Sequence, residues 1–270
     1  MSALRPLHEW PAAARCGIVG VFTDIDDTLT TEGAITPDAL QALADLRRSG
    51  LHAIAITGRP VGWSEPFAAS WPVDAIVAEN GAVALVAGQD GRLRKLYQQP
   101  AAERDRHHAR MQQVLARIER EVPGARRAQD SAGRETDIAI DHSEFTQLPR
   151  ERIDQVVALM RAEGMTATVS SIHVNGWYGS HDKLAGARWI TRELLGTDLD
   201  AQKDRWVYVG DSTNDVLMFG HFPHSVGVAN VRRFLDQLET PPAYLTQGER
   251  GAGFAEVAQA LLQARQGLAG

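Results

Sequence analysis

Val19-Gly-Val-Phe-Thr-Asp24-Ile-Asp26-Asp27-Thr28-Leu29 opens as an apolar run of the kind that forms a buried strand and ends in three carboxylates within four residues. Like charges gathered beside a buried strand are costly unless a cation or a reacting phosphate lies between them. Residues two apart on a strand point the same way. Asp24 and Asp26 can therefore face one pocket beyond the strand's carboxyl end, where open α/β sheets place their ligands. An isolated Asp-x-Asp is usually an acidic turn, with Asp27 and Thr28 capping the next element of the chain. The rest of the chain favours a catalytic site.

The 270 residues, 44% of them hydrophobic, are enough for one large domain or a domain with a sizeable insertion around a substantial core. A net charge of −6, with Lys and Arg scattered along the chain, offers no general attraction to nucleic acid or an anionic membrane surface. The expected partner is a small molecule. The single cysteine, Cys16, excludes an internal disulfide framework, and no stretch is long and apolar enough to span a bilayer. Arg5, His8, Glu9 and Arg15 interrupt any signal-peptide core, so a cytoplasmic location is expected. Oligomeric state is left open.

Short β-rich runs at 18–22, 51–56, 73–78 and 206–209 alternate with helical patterns, which predicts an α/β fold around a parallel sheet. The best-marked helix starts at Thr36-Pro37-Asp38, a capping residue and a first-turn proline, and closes at Arg47-Arg48-Ser49-Gly50. Residues 82–87 and 93–97 read as a hairpin around Gly88-Gln-Asp-Gly91. The order then changes: a long charged helix from about 101 through Glu121, a strand near 136–141, a helix over 149–163 and a strand over 166–171. This predicts a core in two parts, 17–88 and 180–266, interrupted by an α+β unit over 89–179. The second part holds a helix from Asp182 to Leu195, the strand at Trp206, and short runs near Val226 and Tyr244.

Three further motifs sit where strands end or helices begin. Thr57-Gly58-Arg59 offers a hydroxyl and a glycine amide for a phosphate oxygen, and a guanidinium for phosphate or a neighbouring substrate group. Lys183 lies in the first turn of a helix, where a cation opposes the dipole and an anionic neighbour is expected. Val207-Tyr-Val-Gly210-Asp211-Ser212-Thr213-Asn214-Asp215 again ends an apolar strand in carboxylates, with oxygen ligands suited to Mg²⁺ at about 2.0–2.1 Å. Ser212 and Asp215 also have capping-box spacing, a role compatible with metal binding.

As a set, in this order and context, the four motifs resemble those of the haloacid dehalogenase superfamily of phosphotransferases, from Ile18 to about Gly253. The resemblance implies a Rossmann-like core with an inserted class II cap of the B subtype. Its first motif is ordinarily Asp-x-Asp-Gly-Thr, and Asp27 stands here in place of the glycine. The resemblance makes Asp24 the nucleophile and Asp26 the acid and base, with Thr57 and Lys183 binding the transferring phosphate. It places Mg²⁺ on Asp24, the carbonyl of Asp26 and Asp211, with Asn214 and Asp215 in or near its outer shell. Thr28, which matches the motif, Gly58 and Arg59 join the substrate-binding set.

Glu79-Asn80-Gly81-Ala82 resembles the corresponding segment of sugar-phosphate phosphatases and phosphomannomutases. A phosphorylated sugar or other polyol phosphate is the implied substrate, with Asn80 at the pocket rim or simply in a turn. In the inserted unit, Glu135-Thr136-Asp137 and Ser170 to Tyr178 are dense in polar and aromatic groups. His173, Asn175 and Trp177 alternate along what reads as one strand face aimed at the site. The expected activity is Mg²⁺-dependent phosphomonoester hydrolysis through an aspartyl-phosphate. A phosphosugar mutase using the same aspartate, or a non-catalytic sugar-phosphate sensor, remain the alternatives. His107, His108, His221 and His224 show no transition-metal arrangement, and Trp63, Trp71, Trp189 and Trp206 read as packing residues.

Overall fold

Residues 4–88 and 91–266 are described by a computed structural model. The hairpin strands Val83–Ala87 and Leu93–Tyr97 pair as expected, while Gln89 and Asp90 at the tip of that expected turn lie outside the described residues. Nine strands form the main sheet among the described residues, in the order Arg5–Pro6, Tyr244–Leu245, His224–Gly227, Trp206–Gly210, Gly20–Thr23, His52–Ile56, Ala75–Ala78, Val83–Ala87, Leu93–Tyr97. Pairing is parallel through Ala75–Ala78, and the last two pairings are antiparallel, so among the described strands Val83–Ala87 alone runs against the rest. The first strand is an element that sequence patterning does not reveal.

Both faces of the sheet are covered, so its strands are apolar on successive residues rather than alternately. Val21, Ala53 and Ala55 point into one layer with Trp10, Leu43, Leu46, Phe254 and Leu261; Phe22, Ile54 and Ile56 point into the other with Trp206, Tyr208, Phe222 and Ile190. Helix Pro37–Arg48 docks through Ala39, Ala42, Leu43 and Leu46, one stripe of the 3.6-residue period. The expected cap at Thr36 does not form. Its hydroxyl makes no hydrogen bond, and the Asp38 carboxylate instead accepts from the Ala39 amide at 3.0 Å.

A second, antiparallel sheet stands over the carboxyl ends of the central strands. Its order is Thr166–Val169, His173–Trp177, Ile138–Asp141, Arg126–Arg127. Helices Ala101–Glu121 and Arg150–Ala162 cover one face, burying Met111, Leu115, Ile118, Val156, Met160 and Val174. His173 and Asn175 occupy the other face, opposite the main sheet's strand ends. Gly62 and Gly133 bring the two units together: a Cβ on Gly62 would sit 2.9 Å from the Gly133 Cα. The Thr213 hydroxyl also donates to the Val169 carbonyl at 2.6 Å. Among the described residues, no helix is long and apolar enough to cross a membrane.

Candidate active site

Strands Gly20–Thr23, His52–Ile56 and Trp206–Gly210 end side by side and project Asp24, Thr57 and Asp211 just beyond their last residues; helix Lys183–Leu195 begins beside them. All four side chains are buried. Lys183 Nζ lies 3.0 Å from Asp24 Oδ1 and 2.7 Å from Asp215 Oδ1. Burial alone would drive its pKa down, but those two carboxylates reverse the effect and raise it, so the ammonium stays charged. The anionic neighbour expected from a lysine in a helix's first turn is present twice.

Oxygens of Asp24, Asp211 and Asp215 lie within 4.8 Å of one another. Burial pushes the Asp24 carboxyl up to about 7, against the pull of Lys183 and helped by the charges of Asp215 and Asp26. Burial, then Asp215 and Asp24, raise Asp211 well above the usual carboxylate range. One lysine thus leaves a buried surplus of negative charge, and the donors are hard oxygens; this set fits a divalent cation such as Mg²⁺. The three carboxylates are not equivalent. Asp215 Oδ1 accepts from Lys183 and the Tyr208 hydroxyl, while Oδ2 accepts from the amides of Asp211 and Ser212 at 2.9 and 3.1 Å. The Ser212 and Asp215 capping box forms. Asp215 therefore anchors the loop and Lys183, leaving Asp24 and Asp211 as the better-placed ligands. Asn214 Oδ1 accepts from the Ser212 hydroxyl at 3.0 Å.

Arg59 occupies a different place from a free phosphate-binding cation. Its Nε reaches Asp26 Oδ1 and Oδ2 at 2.9 and 3.0 Å, its Nη2 lies 2.9 Å from the same carboxylate, and Trp63 underlies the guanidinium at 4.9 Å. The remaining donors cross to the inserted unit, Nη2 to Glu144 at 2.7 Å and Nη1 to Asp130 at 3.4 Å. Glu144 also contacts His173 Nε2 at 2.9 Å. Burial would raise the Glu144 carboxyl, but hydrogen bonds from His173 and Arg59 pull it down to about 2.

A second cluster lies beside the first. Arg134 donates to Asp137, Asp130 and the Gly58 carbonyl, and the Asn175 amide donates to Asp137 at 3.0 Å and to Gly58 at 3.3 Å. Burial holds the Asp137 carboxyl up at about 7 although Arg134 opposes it. The Asn80 side chain lies 3.5 Å from Asp137, and its backbone amide donates to the Thr57 carbonyl at 2.9 Å. Glu79, Asn80 and Gly81 have φ of 50°, 55° and 107°, three successive left-handed residues that turn the chain back under Thr57. The buried Glu79 carboxylate fixes both units, accepting from the amides of Val61, Glu135 and Thr136 and from the Thr136 hydroxyl.

Most of the residues singled out in the sequence converge on this site, with several in altered roles. The Thr28 hydroxyl lies 3.5 Å from Asp211 Oδ1, and the Thr57 hydroxyl accepts from the Arg59 amide at 3.0 Å. Trp177 does not reach the cleft. Although Trp177 still pairs with Thr166 in the sheet, its indole enters the inserted unit's own core, donating to the His181 carbonyl at 2.8 Å and stacking on that imidazole. Asp27 adopts φ 53°, the left-handed conformation a glycine takes freely and an aspartate tolerates. Sequence reasoning passed over Asn230, whose amide donates to the Asp27 carbonyl at 3.0 Å and to Asp211 Oδ2 at 3.2 Å. It comes after the strand His224–Gly227 as the other site residues come after theirs, which was a usable signal. Arg134 and Glu144 sit in irregular segments and Asp130 in the short 3-10 helix Gln129–Gly133, with no such signal.

Residues 21–114 match the family model of haloacid dehalogenase-like hydrolases. Solved structures share the fold over nearly their whole lengths. A putative HAD/COF-like hydrolase of Plasmodium vivax is 17% identical, with a TM-score of 0.69 over 93% of this chain and 98% of that one. The sucrose-phosphatase of Synechocystis, solved with sucrose and phosphate, is 17% identical with a TM-score of 0.64 over 90% and 97%. A sugar phosphatase of HAD subclass IIB is 15% identical with a TM-score of 0.60 over 92% and 99%. None of the curated proteins compared with the chain matches it.

Proposed function

We propose that this chain, a haloacid dehalogenase-like hydrolase in fold and in the match over its amino-terminal region, is a Mg²⁺-dependent phosphatase of sugar phosphates or related polyol phosphates. The observation that carries the reading is the buried Asp24–Lys183–Asp211 arrangement at the ends of adjacent parallel strands, with Asp26 one pleat beyond. The likeness to sugar phosphatases supports the substrate class.

In this reading Asp24 attacks phosphorus, and the bond from phosphorus to the leaving oxygen breaks as Asp26 donates its proton to that oxygen. Asp26, now a carboxylate, takes a proton from water; the water oxygen attacks phosphorus, freeing Asp24 and inorganic phosphate. Lys183 offsets charge on the transferring group, Thr57 lies beside it, and Arg59 orients Asp26 through its bidentate contact. Asp24 and Asp211 would hold the metal, with the Asp26 carbonyl as a further ligand and Asp215 and Asn214 near the outer shell. When bound, the ion supplies positive charge that lets a carboxylate approach a phosphate. The inserted unit expected over residues 89–179, less the strand Leu93–Tyr97 that pairs into the main sheet, acts as the cap, closing water out where Arg134 and Asn175 meet Arg59 and Gly58 of the core.

The test is phosphate release from a panel of sugar and polyol phosphates with Mg²⁺, with EDTA, and with Asp24→Asn. Release that requires both the metal and Asp24 is expected. Release that persists in Asp24→Asn would refute the assignment.

A further inference from the structure

The charge of the leaving group can be read from how Arg59, beside Asp26, and Arg134, beside Gly58, are used. We infer that, resting on the phosphatase reading above, the site takes monoesters whose leaving group is uncharged and discriminates against substrates with a second phosphate or a carboxylate, with Glu144 as a specificity-determining residue.

Distal anionic groups are ordinarily gripped by arginine, through its planar fork. Two arginines border this cleft, each only 5% exposed, and in each every guanidinium nitrogen already donates within the protein. Arg59 gives Nε to Asp26, Nη2 to Asp26 and Glu144, and Nη1 to Asp130. Arg134 gives Nε and Nη2 to Asp130, and Nη1 to Asp137 and the Gly58 carbonyl. Lys183 is committed to Asp24 and Asp215, at the position of the transferring phosphoryl group. Beyond that group, Asp130 and Glu144 alone already match the two guanidinium charges, before Asp26 and Asp137 are counted, so among the described residues around these arginines no guanidinium charge is left over for a second anion. An incoming carboxylate would have to displace Glu144 from Arg59 and His173, and would meet Asp130 behind it. A sugar hydroxyl meets no such penalty, because it can donate to the free lone pairs of these carboxylates. The same reasoning weighs against a mutase, which must hold a bisphosphorylated sugar.

The experiment compares sorbitol 6-phosphate with 6-phosphogluconate, open-chain six-carbon esters with the same phosphate position that differ at C1, a hydroxymethyl group against a carboxylate. The native protein, Glu144→Gln and Asp130→Asn are assayed with Mg²⁺, and p-nitrophenyl phosphate reports the core chemistry. The quantity read is the ratio of kcat/KM for the two sugar esters within each variant, which is insensitive to changes in overall activity. The native ratio is expected to favour the neutral ester at least tenfold. Removing one carboxylate charge at about 6–8 Å should narrow it roughly three- to tenfold. A native ratio near one or favouring the acid overturns the inference, as does an unchanged ratio in both variants. Absence of release from p-nitrophenyl phosphate in the native protein removes the phosphatase reading itself, a separate outcome that overturns both.

Discussion

Replacing Gly81 by alanine tests whether the left-handed turn at residues 79–81 sets the position of Lys183. A Cβ on Gly81 would lie 2.2 Å from the Asp182 carbonyl oxygen and 2.9 Å from its carbon, at the residue that begins helix Lys183–Leu195. Carbon–oxygen contacts that close do not persist, so the turn and the helix start must separate by about 1 Å, an overpacking cost of about 1–3 kcal/mol. The φ of 107° adds about 1–3 kcal/mol for any residue with a side chain. Gly196, at the other end of the same helix, has φ 64° and nothing within 4 Å of its would-be Cβ. Gly196→Ala should therefore show only a backbone cost of about 1–2 kcal/mol. Urea unfolding followed by circular dichroism separates them: with a slope of about 3 kcal/mol/M, the Gly81→Ala midpoint should fall by about 1 M and Gly196→Ala by about half that or less. Movement of the helix start also displaces Lys183, so kcat for a generic phosphate ester should drop tenfold or more in Gly81→Ala alone. Equal stability losses with equal activities in the two variants would refute the steric argument.

Two further predictions concern charge and closure. The Asp24 and Asp137 carboxyls rise to about 7 in the folded chain against about 3.9 unfolded, so the native state binds more protons between those values and metal-free stability falls as pH rises from about 4 to about 7. The gain in Tm on adding Mg²⁺, which compensates Asp24 and Asp211, should consequently grow over pH 5–8; a gain that is flat with pH would count against metal binding there. Gly133→Val places three carbons where Gly133 and Gly62 are already in backbone contact, which should hold the inserted unit off the core. KM for a sugar phosphate should rise about tenfold while p-nitrophenyl phosphate hydrolysis is little changed, and equal losses on both would sink the closure argument.

The core was legible because its chemistry obeys a positional rule. Strand-forming runs announce themselves, the sheet is parallel, and the functional groups lie at the first polar positions after each run: Asp24, Thr57, Asp211, and the overlooked Asn230. The strand and its end suffice to find them. The inserted unit offers no such rule. Asp130 lies in the short 3-10 helix Gln129–Gly133 and Arg134 just after it, where contacts with Gly58 and Glu79 set by the tertiary fold fix the path, while Glu144 sits in a local turn capped by Asp141 whose approach to Arg59 is likewise tertiary. Strand periodicity also misleads at strand ends, as Trp177 shows: its parity matches Asn175, but as the last residue of its strand it packs its indole into the inserted unit's core and against His181 instead of the cleft.

Asp27 shows how a departure from a family motif is resolved by backbone geometry rather than by charge. The position requires φ near +50°, which explains why glycine suits it, and aspartate is among the few other residues that adopt that conformation at modest cost. Here the strain is offset locally. The Asp27 carbonyl accepts from Asn230, and Arg250 Nε stands 3.0 Å from Oδ1, close enough for charge attraction though outside hydrogen-bond alignment. Asn230 holds Asp211 with the same amide nitrogen, so the turn that carries Asp26 and the strand end that carries Asp211 are tied at one atom. The extra carboxylate of Asp27 is thus met by an arginine, although its charge still adds to the upward push on Asp211. The arrangement of Asp24, Asp26 and Asp211 tolerates it because the left-handed turn, not the side chain, is what the site requires at that position.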